Sequence, residues 1–214
     1  MNTLESIFAE KLLKVKAIKL QPSNPFTWAS GWKSPFYCDN RKTLSYTDLR
    51  SFVKIELTRI ILENFQDVDA IAGVATGAIA QGALVADALN LPFVYVRSKP
   101  KDHGMGNLIE GEIKPGSKVV VVEDLISTGG SSLKAVEALR QAGCEVVGMV
   151  ASFTYGFPVA EKAFADAGVK LVTISNYEAL TAIALETGYI KEEQVPTLKE
   201  WRANPSEWRN DLKN

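Results

Sequence analysis

The sequence predicts an α/β fold: a doubly wound, mainly parallel sheet flanked by helices, with a small N-terminal hood. Three observations predict it. Runs rich in Val and Ile recur from residue 68 onward, at 68–74, 93–97, 118–125, 145–153 and 169–174. Within these runs β-branched residues follow one another rather than alternating with polar ones, as in parallel strands covered on both faces. Helical stretches at 76–89, 130–143 and 158–167 stand between them, so right-handed crossovers wind the sheet from both sides.

The elements follow in order. Residues 3–17 place Leu4, Ile7, Phe8, Leu12 and Val15 at helical spacing. Residues 18–40 differ: Pro22, Pro25, Pro35 and Gly31 punctuate a segment carrying Phe26, Trp28, Trp32, Phe36 and Tyr37, which reads as short strands and loops. Its rings are expected mainly to form hood core or a subunit contact. A helix over about 46–64 presents Phe52, Ile55, Leu57, Ile60 and Ile61. The strand–helix alternation then runs to 174. Residues 176–214 read as short helices, with Pro196 and Pro205 each suited to a first turn and Trp201 and Trp208 as packing anchors. The expected organisation is a hood over 1–66, a core over 67–175 and C-terminal helices over 176–214 on the core or hood, as one structural domain.

Composition narrows the function. The 24 basic and 25 acidic residues leave a net charge of −1, so no general nucleic-acid coat is expected. Two cysteines, Cys38 and Cys144, make neither a disulfide framework nor a CxxC zinc pair, and the single histidine, His103, excludes a His-rich metal site. The N-terminal stretch mixes acids and bases without the apolar centre of a signal peptide, and no apolar run approaches the ~20 residues of a membrane helix. A soluble, cytoplasmic protein is expected, with no membrane partner.

Ligands of such sheets bind beyond the carboxyl ends of the strands. That rule points to the segments after Val74, after Arg97 and after Val122. The third is the most informative: VVVVEDLISTGGSS at 119–132. An apolar strand ends in Glu123 and Asp124, then Leu125 and Ile126, then Ser127, Thr128, Gly129, Gly130, Ser131 and Ser132 opening a helix. The second half is an anion cradle, where helix-start N–H groups point outward, glycines permit close approach and hydroxyls add donors. The first half suits a sugar diol, because carboxylates accept from hydroxyls. The Walker pattern would put Lys where Ser131 stands, and GxGxxG is absent. A ribose 5-phosphate fits both halves. Helix capping alone is the structural alternative, and the acid pair beside four hydroxyl residues weighs against it.

This segment resembles the phosphoribosyl pyrophosphate motif of type I phosphoribosyltransferases. The resemblance implies that Glu123 and Asp124 hold the ribose hydroxyls and that residues 127–131 hold the 5-phosphate, with Leu125 and Ile126 inside the same substrate-binding run. Two further segments are similar to orotate phosphoribosyltransferases: FTWASGWKSPFYCDNR at 26–41, and RSKPKDHGMGNLIEG at 97–111, which resembles a mobile catalytic loop. In the loop, Arg97, Lys99, Lys101 and His103 fall at every second position. Extended, they share one side over ~20 Å at ~3.3 Å per residue, a strip suited to clamping and releasing pyrophosphate. A solvated charged hairpin is the plainer reading of the same residues.

The resemblance carries further expectations. The fold is that of the type I family. The reaction joins orotate to the phosphoribosyl group of phosphoribosyl pyrophosphate, in pyrimidine biosynthesis. Lys101, His103 and Asp124 are the catalytic candidates. Mg²⁺ is expected through substrate and water rather than a protein cage, so no metal ligands are assigned. The loop is expected to reach a neighbouring subunit, giving a homodimer with shared sites. GVATGAIA at 73–80 resembles the pyrophosphate loop, although its glycines serve equally as packing spacers. Departures from the family stand at Ala29, Thr76 and 153–156, where some members carry Lys or Arg. Arg41 is the candidate for the orotate carboxylate, because its fork matches a carboxylate, and a surface loop arginine is the alternative. A purine phosphoribosyltransferase and a nucleotide-sensing regulator of this fold are the rival functions.

Overall fold

The structure is a computed structural model and describes residues 3–28, 31–99 and 108–209. In chain order the elements are α1 (Leu4–Lys14), β1 (Ile18–Leu20), β2 (Phe26–Thr27), β3 (Lys33–Ser34), β4 (Phe36–Cys38), α2 (Thr47–Asn64), β5 (Ala70–Val74), α3 (Ile79–Leu89), β6 (Phe93–Val96), β7 (Ile109–Glu110), β8 (Lys118–Ile126), α4 (Gly130–Gln141), β9 (Glu145–Thr154), α5 (Pro158–Asp166), β10 (Leu171–Asn176), α6 (Tyr177–Glu186) and α7 (Val195–Ala203). They form two compact units, Met1–Lys42 with Ser175–Asn214, and Thr43–Ile174.

The first unit is built on aromatic packing. Trp201 of α7 is fully buried. Its ring lies 4.9 Å from Phe36, 5.9 Å edge-on from Trp28 and 6.1 Å from Tyr177. The Trp28 indole N–H donates to the Phe36 carbonyl at 2.9 Å. The Tyr177 hydroxyl donates to the Leu198 carbonyl at 2.7 Å, and burial pushes that hydroxyl up to about 12. Large rings in tilted and edge-on contact supply much of a small core's stability, which is why two-stranded pairs as short as β1–β4 and β2–β3 persist here. Helix α1 starts where the Thr3 hydroxyl accepts from the Ser6 N–H, and α6 where Asn176 Oδ1 accepts from the Ala179 N–H at 3.0 Å. The buried face of α1, with Phe8 and Leu12, packs on α6. Pro196 sits in the first turn of α7, whereas Pro205 lies in a turn and opens no helix.

The second unit holds a six-stranded sheet in the order β10-β9-β8-β5-β6-β7. Strand β5 pairs parallel with both β6 and β8, β8 pairs parallel with β9, and β7 is an antiparallel edge on β6. The chain therefore moves outward from β5 in one direction through β6, then returns to build β8 and β9 on the other side. The reversal places a crevice at the carboxyl ends of β5 and β8. Alternate strand residues face opposite sides. Ala72, Val74, Val94, Val96, Val119 and Val121 pack with α4 and α5, while Gly73 and the Phe93 ring meet α3.

Helix α2, assigned from sequence to a hood ending at residue 66, falls in the second unit, because Leu49, Val53, Leu57, Ile60 and Ile61 form a face that packs on α3 and β9. The 176–214 helices fall in the unit of α1. The first crossover helix starts at Ile79 rather than 76, because Ala75–Ala78 form a turn. No helix among the described residues is long and apolar enough to cross a membrane.

The end of α2 is seated by one close approach. Phe65, its C-cap, covers Gly148 of β9 so tightly that a Cβ at Gly148 would overlap the ring and stand 3.0 Å from the Lys170 carbonyl. Gly148→Ala is expected to lower stability by about 1–3 kcal/mol through overpacking. Urea denaturation of the variant against the parent measures it.

Candidate active site

Three segments leave the carboxyl ends of the central strands. The first is Ala75–Ala78, after β5, whose Ala75–Thr76 peptide is cis. Thr76 is exposed at its tip. The loop is anchored through the Ala75 N–H on the Val96 carbonyl at 2.8 Å and the Ala78 N–H on the Val74 carbonyl at 3.1 Å. Its glycines are both spacers and site-formers. A Cβ at Gly73 would stand 2.9 Å from the Ala78 carbonyl, and one at Gly82 would stand 2.8 Å from the Phe93 ring, so these two let α3 lie flush on the sheet. A Cβ at Gly77 would overlap the Asp124 carboxyl group. Gly77 is small because the acid is there.

The second segment is the end of β8. The two acids leave the strand differently. Glu123 is buried: one carboxyl oxygen accepts the Asp124 N–H at 2.9 Å and the other accepts the Ser132 hydroxyl at 2.8 Å. Burial first, and the neighbouring Asp124 carboxylate second, push Glu123 up to about 8. Asp124 is half-buried and reaches the Gly77 loop. The sequence-based reading gave both acids to the ribose. In the structure Asp124 is half-buried with its carboxyl group against Gly77, and Glu123 braces the first turn of α4 through Ser132. Ser132 had been counted as a hydroxyl of the cradle, with no role of its own. Leu125 is half-buried, whereas the Ile126 side chain is fully buried and its carbonyl accepts the Tyr155 N–H, so Ile126 serves the core.

The segment read from sequence as an anion cradle folds as a loop leading into a helix. Ser127, Thr128 and Gly129 make the loop, and α4 begins at Gly130. Gly129 has φ +80°, and a Cβ there would stand 2.8 Å from the Phe164 ring, so the position requires glycine twice over. No side chain caps α4, whose first turn carries the amides of Gly130, Ser131 and Ser132. Uncapped first-turn N–H groups and the helix dipole favour an anion. Gly130 and Ser131 are exposed, where a phosphate has access to them.

The third segment joins β6 to β7. Its base is an antiparallel pair, with the Arg97 N–H on the Leu108 carbonyl at 2.8 Å and the Arg97 guanidinium on Glu110 at 3.3 Å. Arg97 thus pins the root of the loop, and Lys99 is exposed beyond it. Lys101 and His103 lie outside the described residues, as does Ala29. Between this hairpin and α4 lies a cavity of about 560 Å³ lined by Val96, Arg97, Ser98, Ser131 and Lys134. Lys134, which the sequence reading leaves out, lines this cavity three residues after Ser131 on the same helix face.

Arg41 belongs to the first unit. Its Nε donates to Asp39 Oδ1 at 2.7 Å and its side chain is largely exposed. That hydrogen bond holds the Asp39 carboxyl below its ordinary range.

Comparison with known proteins defines the class. Residues 45–183 match the phosphoribosyl transferase domain family, and the chain belongs to the phosphoribosyltransferases. Within that class it is similar to the orotate phosphoribosyltransferase of Bacteroides fragilis, at 77% identity over 97% of this chain and 98% of that protein. The orotate phosphoribosyltransferase of Porphyromonas gingivalis is 68% identical over 97% of this chain and 99% of its own. The crystal structure of orotate phosphoribosyltransferase from Aeropyrum pernix superposes with a TM-score of 0.74 at 31% identity, over 86% of this chain and 99% of that one.

The raised Glu123 couples stability to pH. Its ordinary value is 4.5 and its folded value about 8. Its contribution is therefore complete below about 4.5 and is lost as pH rises through about 8. Glu123→Gln removes the titration. Urea midpoints of parent and variant, compared between about pH 5 and pH 9, are expected to show the parent losing stability relative to the variant as pH rises, at no more than about 1.4 kcal/mol per pH unit.

Proposed function

We propose that this chain transfers the 5-phosphoribosyl group from phosphoribosyl pyrophosphate to orotate, giving orotidine 5′-monophosphate and pyrophosphate in de novo pyrimidine biosynthesis. One observation carries the reading. At the sheet's switch point a half-buried carboxylate, Asp124, stands between a glycine loop and an uncapped helix N-terminus. A ligand with a diol between two anionic ends suits that order of groups. The orotate-specific names of relatives up to 77% identical favour orotate over a purine base.

In this reading residues 127–131 hold the 5-phosphate, Asp124 accepts from the ribose hydroxyls, and the Ala75–Ala78 loop receives the pyrophosphate end. A ring nitrogen of orotate attacks the anomeric carbon as the bond to pyrophosphate breaks. Positive charge then develops on the ribose, and Asp124 is the anion nearest to it. No protein nucleophile is needed, and catalysis comes from alignment and fixed charge. Lys99, Lys101 and His103 offset the charge gained by the leaving group, with Arg97 anchoring their loop on Glu110. Arg41 is the candidate for the orotate carboxylate, exchanging Asp39 for it.

Mg²⁺ belongs to the same proposal. Among the described residues no group of three or more His, Cys, Asp or Glu gathers into a cage. A hard ion that keeps its water and takes diphosphate oxygens needs none, and Asp124 offers a carboxylate beside the pyrophosphate loop. When bound, the ion offsets diphosphate charge. The working form is proposed as a homodimer with shared sites, in the cytoplasm, where the thiols of Cys38 and Cys144 stay reduced.

The direct test follows loss of orotate absorbance with phosphoribosyl pyrophosphate and Mg²⁺, with adenine and hypoxanthine in parallel. Turnover of a purine instead, or binding without turnover, rejects the assignment. Asp124→Asn keeps size but removes the charge, and kcat/KM is expected to fall about tenfold or more, equivalent to about 1.4 kcal/mol. Steady-state kinetics on both substrates measures it.

Sharing of sites is tested by mixing Lys101→Ala with Asp124→Asn. If the loop crosses between subunits, a mixed dimer carries both defects in one site and leaves the other intact. Activity should then recover to about half that of the parent per mixed dimer. Subunit exchange, shown by tagged co-purification, without recovered activity defeats the crossed arrangement.

A further inference from the structure

Gln81 lies on α3, one turn after the Ala75–Ala78 loop. The residue is 4% exposed, and among the described residues neither its amide nitrogen nor its amide oxygen has a hydrogen-bond partner. A buried carboxamide in that condition costs stability, roughly 1–3 kcal/mol by mutational measures. Leu or Met at this position, of similar volume, would avoid the cost.

The position indicates what the amide serves. Helical side chains lean toward the helix N-terminus and cover the preceding turn, so Gln81 lies under Gly77 and Ala78. Gly77 is the residue against the Asp124 carboxyl. The backbone bonds of the loop use the Ala75 and Ala78 N–H groups and the Thr76 and Ala78 carbonyls, and none uses the carbonyl of Ala75 or Gly77. An amide whose two donors have no partner among the described residues thus follows, four and six residues on, two carbonyls outside the loop's own backbone bonding. Burial makes such complementary groups strongly drawn to pair.

We propose that Gln81 is a positioning residue for the Ala75–Ala78 loop, donating its amide N–H groups to the loop carbonyls in the form that holds pyrophosphate. The inference rests on the reading of that loop as the pyrophosphate site. Pairing from below holds the Thr76 and Gly77 N–H groups toward the anion and keeps Gly77 against Asp124. The part of that cost that falls on the amide N–H groups is removed when they pair, so part of the loop's order is coupled to the anion.

The test uses the whole protein, with Mg²⁺ and inorganic pyrophosphate as the probe and amide nitrogens labelled for NMR. The Thr76 and Gly77 backbone amides are expected to shift together with the Gln81 side-chain pair, whose exchange with solvent should slow about tenfold or more. Shifted loop amides with an unmoved Gln81 pair overturn the proposal and leave the loop reading intact. Unmoved loop amides reject the loop reading and the proposal with it. Gln81→Met supplies a second readout. KM for phosphoribosyl pyrophosphate is expected to rise about tenfold, KM for orotate to stay within about twofold, and the ligand-free melting temperature not to fall, since a bare amide has been removed. An unchanged phosphoribosyl pyrophosphate KM overturns the proposal at any melting temperature. If the variant does not fold, the NMR measurement on the parent decides.

Discussion

The Asp124 carboxyl group and Gly77 lie so close that no side chain fits between them. This contact ties the end of β8 to the first loop of the sheet, across the point where strand order reverses. Much of the second unit serves to hold it. Gly73 and Gly82 let α3 settle on β5 until the Phe93 ring fills the space between them, and the Ala75 and Ala78 amides peg the loop to the ends of β6 and β5. A bulkier residue at any of these glycines would lift α3 and draw the loop from the acid. The site's geometry thus follows from packing density beneath it.

Electrostatics then divides the labour of two adjacent carboxyl groups. Both cannot ionise freely where one is out of water and the other is its neighbour. Glu123 takes the burial, gains a hydroxyl and an amide as partners, and is pushed up to about 8. Asp124 stays half-buried, with its carboxyl group against Gly77. The same hydrogen bond from Ser132 fixes the first turn of α4, so the buried acid also shapes the turn between β8 and α4.

Much of this was legible in the sequence. The strands at 93, 118 and 145 begin where the Val-rich runs begin, because a doubly covered strand is apolar over most of its length. The turn at 127–131 was legible because glycines and hydroxyl residues break an apolar strand and open a helix. Less legible were features that depend on partners distant in the chain. The place of α2 depends on Phe65 meeting Gly148, more than 80 residues later. The aromatic cluster of the first unit closes only when Trp201 arrives against Phe36 and Trp28.

The sequence by itself determined the strand–helix alternation and the residue types that stand at the carboxyl ends of the central strands, since these depend on local pattern and residue type. Tertiary structure alone decided which acid of the pair is buried, that Ile126 is core, that Arg97 is committed to Glu110, and that Gln81 is buried without a hydrogen-bond partner among the described residues. Direction and burial of a side chain are set by what packs against it from other parts of the chain, and a linear pattern records the side chain but not its surroundings.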